Sequence, residues 1–550
     1  MKNTKESIER LKKFSRLYEC ASLAYAENLN AFSKNLDQYR GSSEIDGGIE
    51  RATLVRNVTY ELIESMMSPD VPQAKVETES YTEGSEALAS SIERLLLTTR
   101  ERLPFDEIND ANERCTYLFG GSLMLVEWAR ENGAGEVRVR HIPPRDFVPE
   151  PGIGAIEDMS YCFLKFVTTK GELLSRYGIS EGEISLAERG FAWGDATAPD
   201  DTVTIIICFY KNEDGSVGRL VFSGDLVLSD EVDYYGSLLD GEDENEEYEN
   251  ISLQNSDGKR KTIAVKKYKP KEFPIVLRKN ISSEGNLFGV SDAETLRPIQ
   301  QAINKIESRI MQKLLRAGVT PIMPEDATVS LSNAIFGQVV KIRSGESASQ
   351  YGTVDTTPDI SQDIKEADRL YDHAKRLIGI SDAYQGIDQN RQESGYAKEL
   401  RINQSASRLE SKRRMKNIAY ERLYKLIFQH YLTFSDSEKK LSYKDGFGIV
   451  RDQKFDKRDF ITEGEQGEFY YNDSFVFTTD KDLFAEYQRE ALWERNLANL
   501  DSGTLGNKDD PRTLLRYWQF QQRAHYPGAK DNVDYFKAMI ENERSDKNGA

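Results

Sequence analysis

Cysteine, histidine and long apolar runs are all scarce in this chain, and each shortage removes a class of protein. Four cysteines, Cys20, Cys115, Cys162 and Cys208, are spread over 550 residues with no CxxC pair. That spacing excludes a disulfide-stapled scaffold and a sequence-local zinc site, and it leaves buried free thiols as the expectation. The four histidines, His141, His373, His430 and His525, form no HxxxH or HxxE arrangement and read as structural or surface residues. No stretch approaches the roughly 18–20 consecutive apolar residues that span a bilayer. The N-terminus, MKNTKESIERLKKFSRLYE, is a charged helical pattern without the apolar core of a signal peptide, so a cytoplasmic start is expected. There is no GxxxxGKS/T phosphate loop, GxSxG elbow or HExxH pair, and no repeat of roughly 20–50 residues. Net positive charge is missing too: 73 Lys and Arg stand against 92 Asp and Glu, a balance of −19. A protein that wraps duplex DNA by neutralising phosphates needs a basic face, and this composition argues against that class.

Helical spacing, by contrast, is plentiful. Leu296, Ile299, Ile303, Ile306 and Ile310 step by three and four, and Leu314 and Ala317 extend the stripe, which predicts a helix with a narrow apolar seam. Ser291 and Glu294 have capping-box spacing, and Gly318 supplies a stop. Pro298 implies either a kink or a regular helix that starts after it. Residues 318–360 are punctuated by Pro321, Pro324, Gly337, Gly345, Gly352 and Pro358 around strand-like runs such as Gln338 to Arg343, and predict a small β-containing excursion. Helical spacing returns at Ile364, Ala367, Leu370, Tyr371, Ala374, Leu377 and Ile378 and ends near Gly379. A polar loop, Ser381 to Ser394, then leads into a long helix from about Gly395 to Tyr431. Its apolar members are Leu400, Leu409, Ile418, Leu423, Leu426 and Ile427.

The flanks predict an α+β body. Residues 3–40 read as helix, as do a segment carrying Leu54, Val58, Leu62, Ile63 and Met66, then Ser85 to Leu103 and Phe105 to Phe119. Strands are expected at Ser122 to Trp128 and Val137 to Ile142, after which Pro143, Pro144, Pro149 and Pro151 force extended backbone and end the pairing. A short helix follows at Thr169 to Tyr177. A hairpin comes next, Val203 to Tyr210 with Val217 to Phe222, around an Asp-Gly turn. Between Ser229 and Lys269 charge dominates; Asp240, Glu242, Asp243, Glu244, Glu246 and Glu247 lack calcium-loop spacing and read as a solvated hairpin tip. Phe273 to Leu277 is a strand, with Pro274 suited to an edge. Beyond the long helix, Phe469, Tyr470, Phe475, Val476 and Phe477 suggest strands that return to the body. Helices follow at Lys481 to Leu500, Pro511 to Ala524 and Asn532 to Glu543.

The order helix, β excursion, returning helix, polar loop, long helix resembles the portal proteins of tailed bacteriophages. The runs FGVSDAETLRPIQQAINKIESRIMQKLL (Phe288 to Leu315) and ESGYAKELRINQSASRLESKRRMKNIAYERL (Glu393 to Leu423) carry the likeness. RNVTYELIESMMSPDVPQAKVE (Arg56 to Glu77) and VRVRHIPPRDFVPEPG (Val137 to Gly152) add to it. The resemblance implies an α+β wing over residues 1–288, a first stem helix at 289–317 and a clip at 318–360. It further implies a second stem helix at 361–379, a tunnel loop at 380–395, a long helix with returning wing strands at 396–480 and a helical crown at 481–550. It implies a homo-oligomeric ring, twelve-fold in the virion, at the capsid vertex and assembled in the host cytoplasm. Double-stranded DNA would pass through it, with a terminase motor, head–tail adaptors and major capsid and scaffolding proteins as partners, and with no cofactor, metal, membrane or catalysis. A mainly acidic wall is compatible with passage, since phosphate contacts create affinity and therefore friction.

Two sets of residues are candidates for DNA contact. Gln385, Asp388, Gln389, Asn390 and Arg391 lie in the polar loop that matches the tunnel loop. Lys398, Arg401, Arg408, Lys412, Arg413, Arg414 and Lys416 oppose only Glu399 and Glu410 over the same stretch, a local excess of positive charge. An exposed helix face or pairing with an acidic neighbour would account for the second set equally well. Stem packing is expected from Leu296, Ile299, Ile303, Ile306 and Ile310 against Ile364, Leu370 and Leu377. The small residues Ala327, Ser330, Ser332 and Ala334 would let clips pack tightly. The rival readings are an acidic metal-dependent DNA-processing enzyme with dispersed carboxylates and a monomeric virion scaffold or adaptor.

Overall fold

The computed structural model describes residues 4–540 except 43–55, 80–84, 132–133, 181, 189, 191–200, 238–247, 255–259, 317–318, 323–330, 335–336, 341–351, 356–357, 381–394, 436–437, 445–449, 465–466, 480–483, 524–525, 527, 530–531, 534 and 538. The helices are α1 (Lys5–Arg40), α2 (Val58–Met66), α3 (Ser85–Arg102), α4 (Phe105–Phe119), α5 (Lys170–Tyr177) and α6 (Tyr234–Ser237). After them come α7 (Asp292–Arg316), α8 (Ser361–Ile378), α9 (Gly395–Phe434), α10 (Phe484–Asp501) and α11 (Pro511–Arg523). The class is α+β. The chain divides into two compact units: residues 1–30, 67–291 and 399–550 form an α+β body, and residues 31–66 and 292–398 form a second unit, labelled the stem unit after the expected stem helices it contains. Residues 31–66, expected within the wing, thus group with the stem helices.

The body is built on a five-stranded antiparallel sheet of Phe147–Pro149, Tyr161–Thr169, Thr202–Lys211, Val217–Ser223 and Leu226–Glu231, in that spatial order. Both faces are covered. On one, Leu11, Phe14 and Ala21 of α1 pack with Phe163, Ile206, Cys208, Leu220 and Phe222. On the other, Leu173 of α5 packs with Val203, Ile205, Val221 and Leu228. A strand buried on both faces reads as a near-continuous apolar run, which is why TVTIIICFYK shows no alternation. Arg10 ties α1 to the last strand through Asp230 at 2.8 Å. The Asp-Gly hairpin forms as expected, with Gly215 at φ 83°. Pairing resumes after the prolines, because Phe147–Pro149 forms the edge strand against Tyr161–Thr169, where a missing N–H is tolerated.

Elsewhere in the body, Ile275–Lys279 lies at the edge of a three-stranded sheet beside Gly121–Glu131 and Ala134–Ile142, in keeping with Pro274. Within the charged window Tyr248–Gln254 pairs with Arg260–Lys266, and the acidic run 240–247 lies outside the described residues. Phe469–Tyr471 joins that pair's sheet, and Phe475–Thr479 pairs with Ala74–Thr78, so the returning strands close the body. One face of the last four turns of α9 is anchored in the body: Tyr420, Leu423, Ile427, Phe428, Tyr431 and Phe434 are buried. Phe428 packs edge-on to Phe460 and Phe475 at 5.4 and 5.8 Å. Gly120 ends α4 at φ 82°, and a Cβ there would sit 2.0 Å from the Gly289 carbonyl oxygen. Only glycine meets both demands. The junction is held by Gly289 N–H donating to Gly120 O at 2.9 Å and by the Ser291 hydroxyl donating to Leu118 O at 2.7 Å.

In the stem unit α7 packs on α8 and on α2. The helix does not wait for Pro298, which lies inside it. Leu296, Ile299, Ile303 and Ile310 are buried and Ile306 is half-buried, as the stripe predicts. On α8 the expected seam is corrected. Its buried stripe is Asp363, Ala367, Ala374, Lys375 and Ile378; Leu370 is half-buried, and Ile364 and Leu377 are 44% and 47% exposed. At about 100° per residue those two flank the stripe on opposite shoulders. The small alanines let the helices approach, and Arg309 and Lys313 of α7 both pair with Asp363, Lys313 at 2.5 Å. Gln300 accepts from Thr59 N at 3.0 Å and donates to Arg56 O at 2.7 Å, fixing α2 to α7. Between the two helices Val319–Ile322 pairs with Gly352–Asp355, and Leu331–Ala334 with Gly337–Val340, the expected β excursion.

Candidate nucleic-acid interface on the long helix

The basic stretch of α9 has two faces with opposite fates. Lys412 and Lys416 are one turn apart and both turn into the body, where they are buried. Lys416 Nζ lies 2.8 Å from Glu113 Oε1 and donates to Asp70 O at 2.6 Å. Glu113, on the inner face of α4, also accepts from Arg278 Nη1 at 2.7 Å, and the same nitrogen reaches Asn112 Oδ1 at 3.1 Å. Tyr420 one turn on donates to Asn109 Oδ1 at 3.1 Å, and Asn109 Nδ2 donates to Ser68 O at 3.1 Å. Burial alone would raise the carboxyl pKa of Glu113, yet Arg278 and Lys416 bring it down to about 2. Burial lowers the pKa of Lys416, with Glu113 pulling the other way. Lys412 Nζ sits 5.4 Å from the centre of the Tyr117 ring. The cluster joins α4, strand Ile275–Lys279, the 68–70 turn and α9. It is an internal lock, with no surface for a ligand.

On the opposite face Arg414 is exposed and pairs with Glu410 at 2.7 Å, a helical i,i+4 contact worth about 0.3–0.5 kcal/mol. Arg413 is half-buried. A contact that weak leaves the guanidinium of Arg414 available to a phosphate.

The model of the phage SU10 portal protein family matches residues 49–458, about three quarters of the chain, from α2 through α9 to strand Val450–Phe455. This chain belongs to the phage SU10 portal protein family. No curated protein matches it. Portal proteins are structural components of the phage particle and take part in oligomeric head assembly; the family is not enzymatic. Among the described residues no three His, Cys, Asp or Glu side chains are grouped to hold a metal ion, and no helix is long and apolar enough to cross a membrane.

For this portal protein the candidate list narrows. Lys412 and Lys416 are removed as DNA contacts, because both are buried in the body and Lys416 is committed to Glu113. Their positions were readable: Leu409, Lys412, Lys416, Ala419 and Leu423 step by three and four, so the two lysines stand on the apolar stripe. Glu113 and Arg278 carry no local sequence signal for their pairing, because 165 residues separate them. Lys398, Arg401 and Arg408 lie on α9, but their side chains fall outside the described residues, as do Gln385, Asp388, Gln389, Asn390 and Arg391 entirely. Ile418, expected on the apolar stripe, is 42% exposed. Of the cysteines, Cys162 and Cys208 are buried, Cys115 is intermediate and Cys20 is exposed, all free. His430 is buried and burial lowers its pKa to about 4, a neutral core histidine whose Nδ1 lies 2.8 Å from Leu426 O.

Proposed function

We propose that copies of this chain close into a ring, twelve-fold in the virion, that forms the DNA channel at the capsid vertex. The observation that carries this reading is the family match over residues 49–458, which runs unbroken through both stem helices, the β excursion and the long helix. The stem pair α7 and α8 forms the channel wall, residues 318–360 the clip that docks the terminase motor and later the head–tail adaptors, and the wing meets capsid and scaffolding proteins. The polar loop 380–395 and the outer face of α9 approach the DNA. In the ring a neighbouring copy would cover Ile364 and Leu377 on the flanks of α8, which are 44% and 47% exposed in the single chain. The chain has no ATP-binding motif, so a separate motor does the work of packaging and the portal guides the DNA.

The DNA-contact part is tested by replacing Arg413 and Arg414 with Glu. Rings of unchanged mass should still form, while the amount of packaged or retained DNA falls several-fold in a packaging assay. Normal packaging would remove this face from the lumen.

A further inference from the structure

Between α9 and the edge strand Ile275–Lys279 the body carries a groove of about 580 Å³ that neither the channel nor the buried lock uses. Phe273, Ile275 and Leu277 form one apolar wall, and Met415, Ile418 and Leu426 of α9 form the other. Ile418 is 42% exposed and Met415 half-buried, whereas Phe273, Ile275, Leu277 and Leu426 are buried. Solvent therefore reaches the apolar lining from the side of α9. From Met415 to Leu426 that wall runs about 16 Å, or about three helical turns.

The rim is cationic in a chain of net charge −19: Lys211, Lys279, Arg422 and Lys425 line it, with Glu157 and Glu272 as the carboxylates. Arg422 pairs with Glu157 at 2.6 Å and Lys425 with Glu272 at 3.6 Å. All four of those side chains are at least 42% exposed, so the pairs are worth little in water. Lys211 and Lys279 donate to the backbone carbonyls of Glu157 and Gly154, which satisfy the ammonium groups without cancelling their charge. Burial lowers the pKa of Lys279; Glu157 pulls the other way and Arg422 adds to the fall. An anion seated at this rim would relieve the crowding of positive charge.

The walls and the rim demand different chemistry, and together they narrow the occupant. Duplex DNA would meet the rim with phosphates but offers nothing apolar to Ile418 and Met415. Phe273, 3% exposed, gives a single strand no ring on which to stack a base. An uncharged apolar ligand would leave the four cations facing two carboxylates. A helix with apolar side chains along one face and carboxylates beside them meets both demands, as amphipathic helices do when they lie in apolar grooves of complementary charge. We infer that this groove is a docking surface for an acidic amphipathic helix of a partner protein. The apolar face of that helix lies against Ile418 and Met415, and its carboxylates meet Lys279, Arg422 and Lys425. The contact belongs to the body and does not depend on the ring.

The test is fluorescence anisotropy of a labelled twelve-residue peptide, ELLEELLEELLE, with the full-length chain. Saturable binding is expected. It should weaken at least tenfold for Ile418→Asp, and at least tenfold for Arg422→Glu with Lys425→Glu, while the thermal melts of both variants match that of the parent chain. The same peptide with lysine in place of glutamate should not bind. Weakening in the rim variant alone would mean that charge suffices, and the docking surface would be overturned. Absence of saturable binding contradicts it too, and is the result expected of a groove filled from within its own chain. A twelve-base-pair duplex that binds this face, and loses affinity with the rim variant but not with Ile418→Asp, would make it a nucleic-acid site and overturn the proposal.

Discussion

The body and the stem unit handle their side chains in different ways. In the body, even charged groups close on one another: Glu113 is shared between Arg278 and Lys416, and the aromatic end of α9 is fully covered. In the stem unit, Leu314, Ile364 and Leu377 remain 44–47% exposed beside a well-packed helix pair. The body thus pairs its buried charges internally, and what marks the α7–α8 pair is its short Asp363-centred polar seam with bulky apolar side chains beside it; exposed apolar residues such as Leu23, Leu186 and Ile418 occur in the body as well. A mutation in the first should unfold the subunit, and a mutation in the second should separate subunits that remain folded.

The largest effect is expected at the buried lock. Glu113→Gln leaves two buried cations without their counter-charge and should cost about 3–5 kcal/mol, read as a lower denaturation midpoint with assembly lost as a consequence. The same residue sets an acid limb. Its folded pKa, about 2, lies below its ordinary value of 4.5, so its contribution is complete above about pH 4.5 and is lost as the pH falls toward 2. The variant should lack that limb in an acid titration of stability, and an unchanged limb would assign it to other carboxylates.

Next comes Gly120→Val, at a positive φ and against the Gly289 carbonyl. It should destabilise by more than about 1 kcal/mol in thermal melts, and a neutral result would mean that the α4 junction relaxes. Ile364→Asp with Leu377→Asp should change subunit stability by no more than about 0.5 kcal/mol each, yet abolish rings by native mass. If the subunit melts instead, the stem shares the body's logic and the contrast fails. The smallest effect is expected from deleting Gln385 to Asn390: rings should assemble as before while DNA passage changes, and loss of rings would make the loop an interface element.

Much of the fold was legible because its signals are local. Helix α4 runs over the residues its spacing and Gly120 predict, α8 ends at Gly379 in a left-handed cap, and Asp-Gly marks the hairpin. Pairings that depend on residues far apart in sequence were not legible. The Glu113–Arg278 pair joins a helix to a strand 165 residues away, the third hairpin strand Leu226–Glu231 is a short LVL run ending in Ser, Asp and Glu, and Tyr248–Gln254 with Arg260–Lys266 mixes charged with apolar residues, so each takes its pairing from distant or adjoining partners. The basic helix shows the limit of counting charge. Seven cations in nineteen residues indicated an electropositive surface, but among the described side chains Lys412 and Lys416 fall on the apolar stripe, Arg413 is half-buried and Arg414 is exposed. On α8 the large residues Ile364 and Leu377 were expected in the packing, whereas Ala367 and Ala374 are the ones buried.

The most direct test of whether another copy covers the flanks of α8 is the mass and symmetry of the purified chain, by native mass spectrometry with negative-stain class averages. The expected result is a closed ring of about twelve copies with a central hole, as a head-to-tail interface that closes requires. A folded monomer that persists over a wide range of concentration, with Ile364 and Leu377 left in water, would contradict it.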